Sequence, residues 1–221
     1  MIPEYAIREW GKSVPWNSPA QVEQDLVVCR ALVALFNDEY LASHLAFRGG
    51  TTLHKLYIQP QPRYSEDMDL VQINTEPIKG TIDRIRDVLD FLGKPIVKQK
   101  AHNNTLIFRF DSEIQPVIPI RLIIEINSRE HFNVLGLIKF AFSISNQWFS
   151  GNCNVTTYHL EELLGQNYVH YTNAEKVATF STFTKRYRPK KSIPVVLSNV
   201  IADGRFKYQM QLYYLTFCRT R

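Results

Sequence analysis

No stretch of the 221 residues approaches the ~18 consecutive apolar residues of a membrane-spanning helix. The opening residues, Met1-Ile2-Pro3-Glu4, lack the basic and apolar regions of a secretory signal. Only three cysteines occur, Cys29, Cys153 and Cys218, at spacings that suit neither a disulfide framework nor a metal knuckle. These absences lead us to expect a cytoplasmic protein with no membrane association and with thiols that are buried or idle. Repeats and low-complexity tracts are also missing. With 45% hydrophobic and 21% charged residues, the composition is that of a globular chain with a real core, which excludes disorder as a whole.

Acidic residues are scarce at one end. Residues 166–221 hold ten Lys/Arg against only Glu175 and Asp203, a net charge of +8, whereas residues 1–165 hold 16 Lys/Arg against 19 Asp/Glu, a net of −3. The chain's overall +5 is therefore no general sign of nucleic-acid binding. Two compositions meet near Gly165, and two parts are expected: residues 1–165 and a basic segment 166–221.

Ser18-Pro19-Ala20-Gln21 reads as a helix start, with Ser18 able to cap and Gln21 able to complete a capping box. Val22, Leu26, Cys29, Leu32, Val33 and Phe36 then recur at helical spacing, predicting a helix over about 18–37. Leu45-Ala46-Phe47 leads into Arg48-Gly49-Gly50, with a helix following from Thr51 through Tyr57. Two prolines make Gln59-Pro60-Gln61-Pro62 a loop. Asp67–Ile73 alternates like a strand, and 76–92 is an amphipathic helix. Thr105–Asp111 and Val117–Asn127 read as strands, the second central. Leu135–Trp148 is apolar and ambiguous in type, and Val155–Tyr158 is a short strand before a helix near His159. The mixture indicates an α+β domain on a mixed sheet.

Chemistry concentrates between Gly49 and Leu70. Two glycines before a helix let the backbone approach a ligand closely, and the first amides of that helix favour an anion such as a phosphate. Lys55, four residues after Thr51, shares a helix face with it and is placed to steady the same anion. Asp67 and Asp69 leave a strand on one side, and two carboxylates that close repel unless a cation lies between them. Mg²⁺ suits them, because it takes oxygen ligands and is commonly shared with substrate phosphates. A Gly-Gly pair alone is usually a turn, and an Asp-x-Asp alone a solvated edge. Together, in this order, they fit metal-assisted phosphoryl or nucleotidyl transfer. Glu125, an acid in the apolar run Ile123–Asn127, either completes the metal site or pairs with a nearby arginine.

The run FRGGTTLHKLY…RYSEDMDL, followed by IEINSREHF and TYHLEELLG, resembles the AbiEii/AbiGii-type nucleotidyltransferase toxins from Phe47 to Gly165, and more loosely from Ser18. The resemblance implies a DNA-polymerase-β-like nucleotidyltransferase fold, a mixed sheet flanked by helices. It also implies a toxin of a toxin–antitoxin or phage-defence (abortive infection) pair, transferring a nucleotide from an NTP with Mg²⁺. A separately encoded antitoxin, often a winged-helix DNA-binding repressor, is implied as partner. Carried over by motif, Gly49, Gly50 and Thr51 would hold the triphosphate, with Asp67 and Asp69 on the metals. Arg63 and Ser65 would contact nucleotide, and Lys55 matches the family's lysine on the first helix.

After TYHLEELLG the resemblance stops. The family continues with K-L-x-A-L…R-x-K-x-R-D-x-x-D-L, whose Lys and Asp serve the site, whereas this chain reads QNYVHYTNAEKVATFSTFTKRYRPKK. Yet codons permitted from Gln166 onward, read with each third base joined to the next two, can spell KLRALYQRRKGRDLFDL, the missing motif in order. We therefore expect a frameshift near Gly165–Gln166, poor order beyond it, and weak or absent nucleotide transfer. Two rival readings remain at this point: a non-catalytic pseudoenzyme that holds nucleotide or antitoxin, and an RNA-binding protein using the basic tail. For an intact version, the acceptor hydroxyl could be an RNA 3′ end, such as that of tRNA, or a protein side chain.

Overall fold

Helix α1 (Glu4–Trp10) precedes the long helix α2 (Pro19–Asn37), which starts where Pro19 fits a first-turn position. The expected side-chain cap is not made. Ser18 contributes only its carbonyl, which accepts from Gln21 N at 3.0 Å. The computed structural model describes residues 2–58, 61, 64–100 and 103–172, with 201–202 and 206–207. It divides into two units, Met1–Leu163 and Leu164–Arg221.

In the first unit, α2 is followed by α3 (Glu39–His44), capped by Asp38 accepting from Leu41 N at 2.9 Å, then by strand β1 (Leu45–Arg48). The helix expected from Thr51 begins at the glycines instead, as α4 (Gly49–Thr52), and widens into a π-helical turn over Leu53–Tyr57. Strand β2 (Asp67–Gln72) is as expected, and helix α5 (Lys79–Val88) with a 3₁₀ turn (Asp90–Leu92) replaces the longer 76–92 helix. Pro77 stands just before the N-cap Ile78, outside the helix. Strand β3 (Ile96–Lys100) carried no expectation, while β4 (Asn103–Asp111) and β5 (Pro119–Asn127) nearly match theirs. The ambiguous segment is strand β6 (Leu137–Ser145), and β7 (Ser150–Tyr158) is longer than expected because it pairs with β6 along its whole length. Helix α6 (Leu160–Thr172) begins in this unit.

The seven strands form one mixed sheet in the order β3-β4-β5-β2-β1-β7-β6, with β5 inside it as expected. Parallel pairs β2/β5 and β1/β7 sit among antiparallel ones. One face of the sheet carries Met68, Leu70, Leu106, Phe108, Leu122, Ile124 and Ile126, all buried in a core that includes α2, Ile82 and Ile85 of α5, and Leu89 just after it. Burial of this apolar set is the main driving force for the fold. Alternation along β2 and β5 then sends Asp67, Asp69 and Glu125 to the other face.

Helix α2 is buried on nearly every side, including Glu23, Gln24 and Asp25. Each of these polar groups fastens a different segment. The Glu23 carboxylate accepts from Glu113 N (3.0 and 3.2 Å), and Gln24 accepts from the Tyr64 hydroxyl while donating to Arg121 O at 2.5 Å. Asp25 accepts from Lys55. The polar interior of this helix therefore fixes the loop after β4, strand β5 and the turn after the glycines.

In the second unit, the described part consists of the rest of α6 to Thr172 and a two-stranded antiparallel ladder of β8 (Ile201–Ala202) and β9 (Phe206–Lys207). The remainder of the basic segment lies outside the described residues, and the expectation of poor order falls there.

Candidate active site

Strand β1 ends at Arg48, and the chain turns at Gly49 with φ 80°, a conformation that glycine adopts without strain. Close approach requires glycine here too. A Cβ on Gly49 would stand 2.2 Å from Asp69 Oδ2. Gly50 differs, because nothing lies within 4 Å of where its Cβ would be. Open space therefore adjoins the first amides of α4, which have no carbonyl partner within their own helix.

The β1/β2 and β2/β5 ladders bring the acids to this bend. Arg48 is the antiparallel Cα partner of Asp69, and Asp69 the parallel partner of Glu125. A cation and two carboxylates thus stand side by side across three strands, with Asp67 two residues before Asp69 on the same face. Glu125 is exposed and makes no ion pair among the described residues, so the burial cost expected for it does not arise.

Thr51 donates to Asp67 O at 2.7 Å and bonds the Ser65 hydroxyl at 2.5 Å. With its single proton committed to Asp67 O, Thr51 must accept from Ser65. Both hydroxyls therefore pin the start of β2 to α4. Tyr64, next to Ser65, is held well above the usual phenol range by burial and by the carboxylates of Glu66, Asp25 and Asp67. Arg63 lies outside the described residues.

Lys55 corrects the reading of its sequence position. Its side chain is 3% exposed and its ammonium lies 2.6 Å from Asp25 Oδ1 and 3.2 Å from Cys29 Sγ. Burial pushes its pKa down, but Cys29 and Asp25 outweigh this and raise it. Sharing a helix face with Thr51 does not bring it to the bend, because Thr51 is itself buried, at 3% exposure, and that face points inward. Burial also pushes the Cys29 thiol up to about 11. Cys29 and Cys153 are unpaired and buried, as expected, and Cys218 lies outside the described residues.

Among the described residues no three His, Cys, Asp or Glu side chains form a ready-made metal cage. The donor set still fits Mg²⁺. That ion commonly takes one or two carboxylates, with the remaining ligands from water and substrate phosphate. The space a Cβ on Gly49 would need is taken by the Asp69 carboxylate, so the bend and this acid lie side by side.

Sequence reasoning missed Arg48, its partner Glu130, and Asp25. Arg48 directly precedes the glycines, so its position was a usable signal. The partners Glu130 and Asp25, 82 and 30 residues from the side chains they bind, left no local pattern.

The mixed sheet sets a Gly-Gly bend against an Asp-x-Asp strand, and its fold is shared with a nucleotidyltransferase structure. The structure of MenT4, nucleotidyltransferase toxin Rv2826c from Mycobacterium tuberculosis H37Rv, is similar, with a TM-score of 0.53 and 14% identity over 85% of this chain and 66% of that one. JHP933 from Helicobacter pylori aligns with a TM-score of 0.46 and 15% identity over 67% of this chain and 56% of that one. This chain thus spans about two thirds or less of the length of these structures. No curated protein sequence matches it. Residues 30–179 match the family described as nucleotidyl transferase AbiEii toxin, Type IV TA system, and the chain belongs to that family. The match continues past Gly165 into the basic segment.

Proposed function

We propose that this protein is a nucleotidyltransferase toxin of a toxin–antitoxin system that takes an NTP with Mg²⁺ at Asp67 and Asp69. The observation that carries this reading is the fit of Gly49 against the Asp69 carboxylate, which joins an anion-receptive bend to a cation-binding acid. Gly49, Gly50 and the Thr51 amide cradle the triphosphate. Thr51 and Ser65 act through their hydroxyls by holding Asp67 in place, Arg63 contacts nucleotide, and Glu125 stands in register as a third acid. Bound Mg²⁺ supplies charge neutralisation and alignment at the α-phosphate. The chain's own acids position the nucleotide, and the acceptor is a hydroxyl, with an RNA 3′ end such as that of tRNA as our first candidate.

The family match runs to residue 179, but the K-L-x-A-L…R-x-K-x-R-D-x-x-D-L motif is not spelled there, and this favours a second reading for this particular chain, in which nucleotide or antitoxin is bound with little turnover. On that reading, residues 166–221 are an out-of-frame segment beside a nucleotidyltransferase domain of residues 1–165. Among the described residues no helix is long and apolar enough to cross a membrane, and a cytoplasmic location with a separately encoded antitoxin completes the proposal.

The test incubates this chain, Asp67→Ala and a frame-restored form with each labelled NTP, Mg²⁺ and total RNA. Label transfer by the restored form, lost in its Asp67→Ala variant, is the expected result. Transfer that survives Asp67→Ala would overturn the site, and equal transfer by this chain and the restored form would overturn the impairment.

A further inference from the structure

We propose that Arg48 is a phosphate-binding residue of this site, held in place by Glu130 until a polyphosphate displaces that carboxylate. The inference rests on the nucleotide reading above and adds a residue to it.

Arg48 is the last residue of β1, next to the Gly49 turn and in register with Asp69. It therefore stands where phosphates gripped by the bend and by a metal on Asp69 would lie. Its Nη1 donates to Glu130 Oε2 at 2.7 Å. Its Nε and Nη2 donate to no described residue, which among the described residues leaves spare donors on the guanidinium fork. The side chain is 22% exposed, which restricts it without sealing it. Such a planar fork with spare donors is suited to bidentate phosphate binding.

Glu130 is placed for this role by its own loop. Asn127, the last residue of β5, accepts from the backbone N–H groups of Arg129 and Glu130 at 2.9 and 3.0 Å. Its amide also donates to Glu130 Oε2 at 3.2 Å. The turn thereby directs Glu130 back over the end of β1. Glu130 is 48% exposed, and an ion pair this accessible is weak, so a polyphosphate can replace it at little cost.

Isothermal titration of the full chain tests this with two probes: tripolyphosphate without metal, and each of the four NTPs with Mg²⁺. Arg48→Ala is expected to weaken both by ~10-fold or more, the scale of a lost charge-assisted pair. Glu130→Gln is expected to tighten both by ~2–5-fold, because a competing surface ion pair is removed. Asp69→Asn should weaken the Mg²⁺–NTP complexes and spare metal-free tripolyphosphate. Glu130→Gln weakening binding as Arg48→Ala does would overturn the inference, since the pair would then be structural. If Arg48→Ala fails to fold, the sign of the Glu130→Gln effect decides. NTP binding lost in Asp69→Asn but unchanged in both Arg48→Ala and Glu130→Gln would sink Arg48 and leave the nucleotide reading intact. No binding of any probe by the full chain would remove both.

Discussion

Lys55 and Asp25 form an ion pair of 2.6 Å with side chains 3% and 1% exposed, and Trp10 donates to the second Asp25 oxygen at 3.0 Å. The pair ties the turn after the glycines to α2, deep inside the domain. Removing one partner strands a buried charge, so Asp25→Ala or Lys55→Met should each destabilise the domain by roughly 3–5 kcal/mol. Replacing both with apolar residues should cost less than either single change. Urea denaturation of the three variants measures the difference, and equal or additive losses would contradict the coupling.

The two glycines should respond differently to alanine. Gly49→Ala meets both a positive φ and the Asp69 carboxylate, and should destabilise by about 1–3 kcal/mol while abolishing nucleotide binding. Gly50→Ala meets nothing within 4 Å and lies in a helical turn, so it should hold or gain stability by about 0.5 kcal/mol. Thermal melts of the two variants make the comparison, and similar losses for both would show the turn to be misassigned.

Glu23 gives the fold a pH dependence. Burial raises its carboxyl to about 7, against an ordinary 4.5. The folded state thus binds this proton more tightly than the unfolded chain. The resulting stabilisation is full below about 4.5 and is lost as the pH rises through about 7, a change of roughly 1–3 kcal/mol. Glu23→Gln should flatten the melting temperature across that window, and an unchanged slope would assign the effect to other groups.

Asp67→Asn and Asp69→Asn should each reduce Mg²⁺-dependent NTP affinity by ~10-fold or more, and chelation of the metal should mimic them in the parent chain. The melting temperature without ligand separates a loss of metal binding from a loss of the packing these half-buried acids make. NTP affinity indifferent to EDTA would rule out metal-linked binding at these acids.

Much of this site can be read along the chain because its main parts sit at strand ends with short-range signals. The glycine pair marks a backbone need, and the acids at 67 and 69 follow the two-residue period of a strand. Glu125 could be placed on β5 by the same pattern, but its exposure could not, since that depends on which strand lies alongside. Lys55 was misread because one-dimensional spacing gives a shared face without saying whether the face points inward. Asp25 carried no expectation, because the partner that the π-helical turn brings to it, Lys55, lies 30 residues away. Strand β3 escaped notice because Ile96–Lys100 alternates weakly and is mostly exposed at the edge of the sheet. The change of composition after Gly165 was legible as charge and as a lost motif, and most of that segment lies outside the described residues.

The antiparallel register of β1 with β2 has a further consequence. Arg48 closes one strand and Asp69 nearly opens the next, so the ladder itself, and not the intervening connection, sets their separation. The connection ahead of the Tyr64 and Ser65 anchors can accordingly change length without moving the bend from its acids. The hydrogen-bonded ladder thus acts as a ruler between bend and carboxylates, independent of the length of chain that joins them.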